Sequence, residues 1–326
     1  MTSEFDLIAR HFTRPTPSAD LGIGDDAALL RVAPGHQLVV SCDMLVAGTH
    51  FLADAAPEAL GWKTIAVSVS DLAAMSAQPR WATLALSLPA ADEAWIAALA
   101  SGVHACCAVF GIDLVGGDTT RGPLNLCATL FGEVPLGRAT TRDGARPGDD
   151  LWVSGQPGRA ALGLAHLLEG RSLAADHSGD CLEALHRPQP RLGLGLALRG
   201  VASAMLDVSD GITGDLRHIL ERSSVGAELD EGLLPLDGLV AACGDPSRAL
   251  AAFLGGGDDY ELLFTASPDE RRQIAEIATR CGVPVHRLGR VTARAGRLQL
   301  RRQGDHVEAL DANGYDHFRT VDSRSA

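Results

Sequence analysis

Lysine is almost missing from this 326-residue chain: of its 28 basic residues only Lys63 is a lysine. Its setting, Gly61-Trp62-Lys63-Thr64, lacks the glycine directly before lysine that a Walker A loop requires. No Gly-rich loop precedes Lys63 and no H-R-D motif follows, which excludes the protein-kinase arrangement. Lys63 is therefore expected as a solvated helix residue. The seven cysteines (42, 106, 107, 127, 181, 243 and 281) are odd in number and contain no C-x-x-C pair. That opposes both a disulfide framework and a zinc knuckle, and scattered buried thiols are expected. Neither H-x-x-x-H nor G-x-S-x-G occurs, so a hydrolytic triad has no support. No apolar run reaches the roughly 18 residues needed to cross a bilayer. The start, Met1-Thr2-Ser3-Glu4-Phe5-Asp6, places acids where a signal peptide carries basic residues. A cytoplasmic address is expected. A net charge of −13 opposes binding to nucleic acid, which needs a basic face.

Aspartates are plentiful, and they recur beside glycine and serine: Gly24-Asp25-Asp26, Ser41-Cys42-Asp43, Ser70-Asp71, Gly116-Gly117-Asp118, Asp207-Val208-Ser209-Asp210 and Gly257-Asp258-Asp259. Any one of them has an ordinary structural reading, because Asp favours turns and N-caps. Four follow strongly apolar segments, so as turns beyond element ends their carboxylates can converge at one mouth, where ligands collect in open α/β sheets. Gathering several carboxylates without cations is costly in like-charge repulsion. Mg²⁺ takes oxygen ligands and shares them with substrate phosphates, so the set suggests phosphate handled through metal ions. The sequence Gly22-Ile23-Gly24-Asp25-Asp26-Ala27 also fits a dinucleotide fingerprint, with Asp43 about twenty residues on. The preceding 15–20 stretch is no buried strand, however, and Asp25 and Asp26 would repel a pyrophosphate.

Length allows two domains, and 46% apolar content is ample for their cores. A short helix is expected over 5–12, strands over 27–32 and 37–41, a helix over 57–77, a strand over 81–88 and a helix over 92–110 capped by Asp92. Strands over 112–115 and 124–134 would bracket the Gly116–Thr119 turn. The polar, Gly/Pro-containing stretch 142–149 is the natural boundary, dividing the chain into an N-terminal domain (1–145) and a C-terminal domain (146–326). Beyond it, strands are expected at 151–154, up to 207, up to 230, at 261–265 and at 297–302, with helices at 214–223 and 268–281. Helices alternating with hairpin-linked strands indicate an α/β (α+β) protein with mixed sheets.

The ordered series of the aspartate motifs, together with His50-Phe51, Asp71-Leu72-Ala73-Ala74-Met75, Gly256-Gly257-Asp258-Asp259-Tyr260-Glu261 and Gly314-Tyr315-Asp316-His317-Phe318, resembles the thiamine-monophosphate kinases. These belong to the aminoimidazole ribonucleotide synthetase superfamily, and the match spans nearly the whole chain. The resemblance implies a two-domain fold whose N-terminal domain pairs with a second copy to close a β-barrel. It implies ATP and several Mg²⁺ ions in the interdomain cleft, and thiamine monophosphate as acceptor. By position, Asp26, Ser41, Cys42, Asp43, Asp71, Asp118, Asp207 and Asp210 would form the metal set. Gly117, Asp118, Arg142 and Ser209 would contact the nucleotide, and His50, Asp258 and Tyr315 the thiamine phosphate. Asp43, Asp71, Asp118 and Arg142 would carry catalysis. Two positions depart from the family pattern. Cys42 stands where Thr is frequent, so coordination there would use the backbone carbonyl, thiol being a poor Mg²⁺ ligand. Asp258 replaces a frequent Glu and is one methylene shorter. Rival readings are another ATP-using synthetase of the superfamily, or a non-catalytic nucleotide- or divalent-ion-binding protein.

Overall fold

A computed structural model describes residues 4–302, 304 and 306–310. The chain opens with a short helix α1 (Glu4–Leu7), continued by a π-helical turn Ile8–Phe12. The segment 27–32 forms no strand; its only ladder-like contact is an isolated bridge from Leu29 to Leu21. Aspartates and glycine at 24–26 keep it turning rather than extended. Then come β1 (His36–Val46), α2 (Pro57–Ala74), β2 (Gln78–Leu88), α3 (Glu93–Phe110), β3 (Asp113–Arg121) and β4 (Asn125–Pro135). These strands form an open sheet in the order β1-β4-β2-β3. β4 runs antiparallel to β1 and β2, and β3 parallel to β2.

The second part has β5 (Asp150–Ser154), α4 (Arg159–Glu169), α5 (Ala175–His186), α6 (Leu192–Ala197), β6 (Ala204–Val208), α7 (Ile212–Ser223) and β7 (Gly226–Asp230). It continues through α8 (Asp237–Cys243), α9 (Pro246–Gly255), β8 (Glu261–Ala266), α10 (Arg271–Cys281), β9 (Val285–Thr292), β10 (Leu298–Arg301) and β11 (Val307–Ala309). Its mixed sheet runs β11-β10-β7-β9-β5-β8-β6. A two-domain α/β architecture with mixed sheets results. Both sheets are open, and no barrel closes among the described residues.

Helix α2 fixes how the halves meet. It lies against the first sheet on one side and against α6, β6 and β8 on the other. Every residue from Leu60 to Ala74 is buried except Asp71. A helix apolar on all sides has this fate, since it lacks a polar stripe to offer water. Helix α3 starts where Asp92 accepts the Ala94 and Trp95 amides at 3.0 and 3.2 Å. By length and composition it alone among the described helices could cross a membrane. Here it packs on α2 with Ile96, Leu99, Val103 and Cys106 buried. The opposite face of the first sheet stays uncovered, leaving Leu38, Val40 and Met44 of β1 about half exposed at 46%, 52% and 55%.

Candidate functional site

Three of the supposed aspartate turns are not turns. Asp43 lies inside β1, Asp71 inside α2 and Asp118 inside β3, while Asp207 is the next-to-last residue of β6, ahead of the bend at 209–210. The apolar runs continue through these residues because their neighbours still have a core to bury against. In β1 the two-residue period sends Val39, Ser41, Asp43 and Leu45 inward and Leu38, Val40, Cys42 and Met44 outward.

Two cavities meet at the buried side of this strand. The wider, about 630 Å³, is lined by Ser41, Asp71, Arg142, Asp207, His218 and Arg222 among others. The second, about 360 Å³, is lined by Asp43, His50, Asp71, Asp207, Ser209, Asp210 and Asp258. Asp71 and Asp207 belong to both and form the shared wall.

The electrostatics of that wall are unfavourable for bare carboxylates. Burial raises Asp43 to about 6, helped by the neighbouring charge of Asp71. Burial, and then the charge of Asp207, pushes Asp71 up to about 7, while Arg142 acts in the opposite direction. Asp207 rises to about 6 through burial and the charges of Asp215 and Asp43, although Ser70 donates a hydrogen bond to it. Serine hydroxyls hold the other two acids, Ser68 on Asp43 and Ser41 on Asp71. Among the described residues no three His, Cys, Asp or Glu side chains are drawn together as a finished metal cage. The donor set nonetheless fits a hard cation: three mutually repelling carboxylates relieve their repulsion when oxygen-seeking positive charge sits between them.

The supporting loop is stitched tightly. Asp215 on α7 accepts the amides of Ser209 and Asp210 at 2.9 Å each, and burial pushes it up to about 7. Asp258 and Tyr260 donate their amides to the carbonyls of Ser209 and Val208 at 2.8 Å. Gly257 makes this possible, since an added Cβ would sit 2.3 Å from the Ser209 carbonyl oxygen. The acidic loop and the Asp258 loop are therefore tied to each other through their backbones. His50 Nδ1 accepts the Val46 amide at 3.0 Å, which in the neutral ring leaves the proton on Nε2.

Other expected site residues stand apart. Asp26 and Asp118 are exposed and line neither cavity. Asp118 shares a row with Ala85, Cys127 and Met44, on the outer face of the sheet and three strands from β1. Gly117 lies opposite Leu84, whose carbonyl oxygen would be 1.9 Å from an added Cβ, so close strand packing by itself requires glycine there. The Cys42 side chain faces outward, its Sγ 3.5 Å from Cys127 Sγ. Tyr315 lies outside the described residues.

Lys63 corrects the expectation of a solvated residue. It is 3% exposed, and its Nζ donates to Asp258 Oδ2 at 2.9 Å and to the Leu185 carbonyl at 3.0 Å. The signal was present in the sequence: a lysine in a helix without a polar stripe has no solvent face. Asp215, Ser68, His218 and Arg222 were also missed, and nothing in their local sequence marks them.

Residues 24–134 match the AIR synthase related protein N-terminal domain, and 146–301 the C-terminal domain of the same family. The thiamine-monophosphate kinase of Escherichia coli K12 is 45% identical over 322 residues, 97% of this chain and 98% of that protein. The crystal structure of thiamine-monophosphate kinase from Stenotrophomonas maltophilia superimposes with a TM-score of 0.82 at 45% identity, covering 90% and 94% of the two chains. AaThiL complexed with AMPPCP and TMP superimposes at 0.74 with 31% identity, covering 82% and 84%.

Proposed function

The chain belongs to the thiamine-monophosphate kinase family of AIR synthase related proteins, and we propose that it moves the γ-phosphoryl group of ATP directly, in line, onto thiamine monophosphate. One observation carries the reading. Two cavities share the Asp71–Asp207 wall, which suits a reaction between two separately held anions.

The acceptor brings its own nucleophile. A phosphate monoester with second pKa near ~6 is largely dianionic at neutral pH, so no general base is required. The obstacle is repulsion between the attacking oxygen and the γ-phosphate, and positioning with charge neutralisation can carry phosphoryl transfer. Asp43, Asp71, Asp207 and Asp210 would hold Mg²⁺, which would supply positive charge to offset that of the phosphates. Arg142, in the wider cavity and opposed to Asp71, is placed to meet the nucleotide phosphates. His50 and Asp258, in the second cavity, are placed to orient the acceptor.

Several further features follow this reading as proposals. Asp26 and Asp118 act only if another element or chain brings them to the cation. A second copy covers the apolar outer face of β1, supported by the exposure of Leu38, Val40 and Met44. The functional division falls near residue 145, and the address is cytoplasmic. Incubating protein, ATP, Mg²⁺ and thiamine monophosphate should yield thiamine diphosphate and ADP. ATP binding without ADP release in the presence of thiamine monophosphate overturns the reading and favours a non-catalytic nucleotide binder.

A further inference from the structure

Beyond the acidic wall the second cavity runs into a smaller apolar cleft of about 160 Å³. Phe51, Leu52, Leu164 and Leu185 form its sides, and Lys63 and Asp258 supply polar groups at its base. Burying a lysine among such residues is unfavourable unless its charge is matched. Here it is matched by Asp258, which also lines the second cavity. Asp258 has both oxygens engaged, Oδ2 by Lys63 Nζ and Oδ1 by the Tyr260 hydroxyl, each at 2.9 Å. Its backbone and that of Tyr260 take left-handed φ values of 67° and 53°, unusual for residues with a Cβ. Both amides are tied to the 208–209 segment. A locally unfavourable conformation is thus kept in place by its surroundings.

We infer that Lys63 is a specificity-determining positioning residue: it holds Asp258 as a fixed, salt-bridged acceptor at the end of the cleft, so that the cleft selects a flat heteroaromatic group bearing N–H donors. This rests on the kinase reading above. An ionised carboxylate only accepts hydrogen bonds, so it favours an amino-substituted ring and disfavours one presenting oxygen in the same place. Thiamine monophosphate ends in such an amino-pyrimidine. A site built to pair with a donor rejects the analogue lacking it far more strongly than apolar contact alone can. Lys63 itself touches Asp258 and the Leu185 carbonyl, and works through Asp258.

The test compares thiamine monophosphate with its analogue in which oxygen replaces the ring amino group. Wild-type protein should prefer the amino form by at least ~10²-fold in kcat/KM. Lys63→Met should raise KM for thiamine monophosphate ~10-fold or more and reduce the preference to within a few-fold. KM for ATP should stay near its wild-type value. Adding Lys63→Met to Asp258→Asn should cost little beyond Asp258→Asn alone, because both changes remove one function. If Lys63→Met fails to fold, the double variant, with neither charge left, decides the matter against Asp258→Asn. An unchanged preference in Lys63→Met overturns the inference. So does a further tenfold loss in the double variant, or equal losses for ATP and the acceptor. Wild-type protein that forms no thiamine diphosphate would instead overturn the kinase reading itself.

Discussion

The two cavities that meet at Asp71 and Asp207 are built by opposite rules. The wider one is lined on its far side by His218, Glu221 and Arg222 of α7 and by Arg142 and Asp143 of the connecting stretch, all of them polar. The second narrows into a largely apolar cleft whose polar groups include Thr49, His50, His186 and the ion pair of Lys63 with Asp258. The first suits a polyanion recognised by charge near water. The second suits a ring recognised by shape and one hydrogen-bonding edge. The wall between them is the only part that has to serve both ligands, and it is where carboxylates are most crowded.

Removing charge from that wall should be the most damaging change. Asp71→Asn is expected to lower kcat by at least ~10²-fold, by analogy with deleting one electrostatic stabiliser. Near-normal turnover at ordinary Mg²⁺ would remove the wall from the mechanism. The next effects should fall on one side only. Arg142→Ala should raise KM for ATP ~10-fold or more through loss of charge-assisted hydrogen bonds, with KM for thiamine monophosphate little changed. His50→Ala should do the converse, raising KM for the acceptor more than it lowers kcat. A collapse of the kcat–pH profile in that variant would reveal a base at position 50.

The smallest effect is on stability. Asp43 and Asp207 are raised to about 6, and Asp71 and Asp215 to about 7, from an ordinary 3.8. The folded protein therefore keeps protons that the unfolded chain has released. Ligand-free stability should fall as pH rises from about 4 through about 7, then level off. Mg²⁺ should offset this, raising the thermal midpoint by on the order of a few °C at pH 8 and scarcely at pH 5. Melting curves at both pH values check it; a midpoint that climbs from pH 5 to pH 7 without metal contradicts the crowding of these acids.

The chemistry was easier to read in the sequence than the geometry. The order of motifs identified the family, and α2, α3 and the mixed character of the sheets followed from periodicity and capping. Residues 41–43 and 116–118 looked alike, an apolar run ending in a small residue and an acid. The structure sends Asp43 inward at one edge of the first sheet and Asp118 outward at the other. Side chains alternate along a strand, so register decides the face, and long-range pairing with β4 and β2 sets the register. Lys63 shows the same limit from the helical side: it was expected to be solvated, yet it is buried, and its partner Asp258 lies 195 positions away.

By itself, then, the sequence determined which chemical groups are present: abundant carboxylates, one lysine, no P-loop and an ordered set of motifs shared with phosphoryl-transfer enzymes. The tertiary structure alone decided which of those carboxylates share a wall, which face solvent and what the lone lysine holds. The reason is physical: a residue's type is written locally, whereas its burial, partners and charge state depend on strands and helices that meet only when the chain has folded.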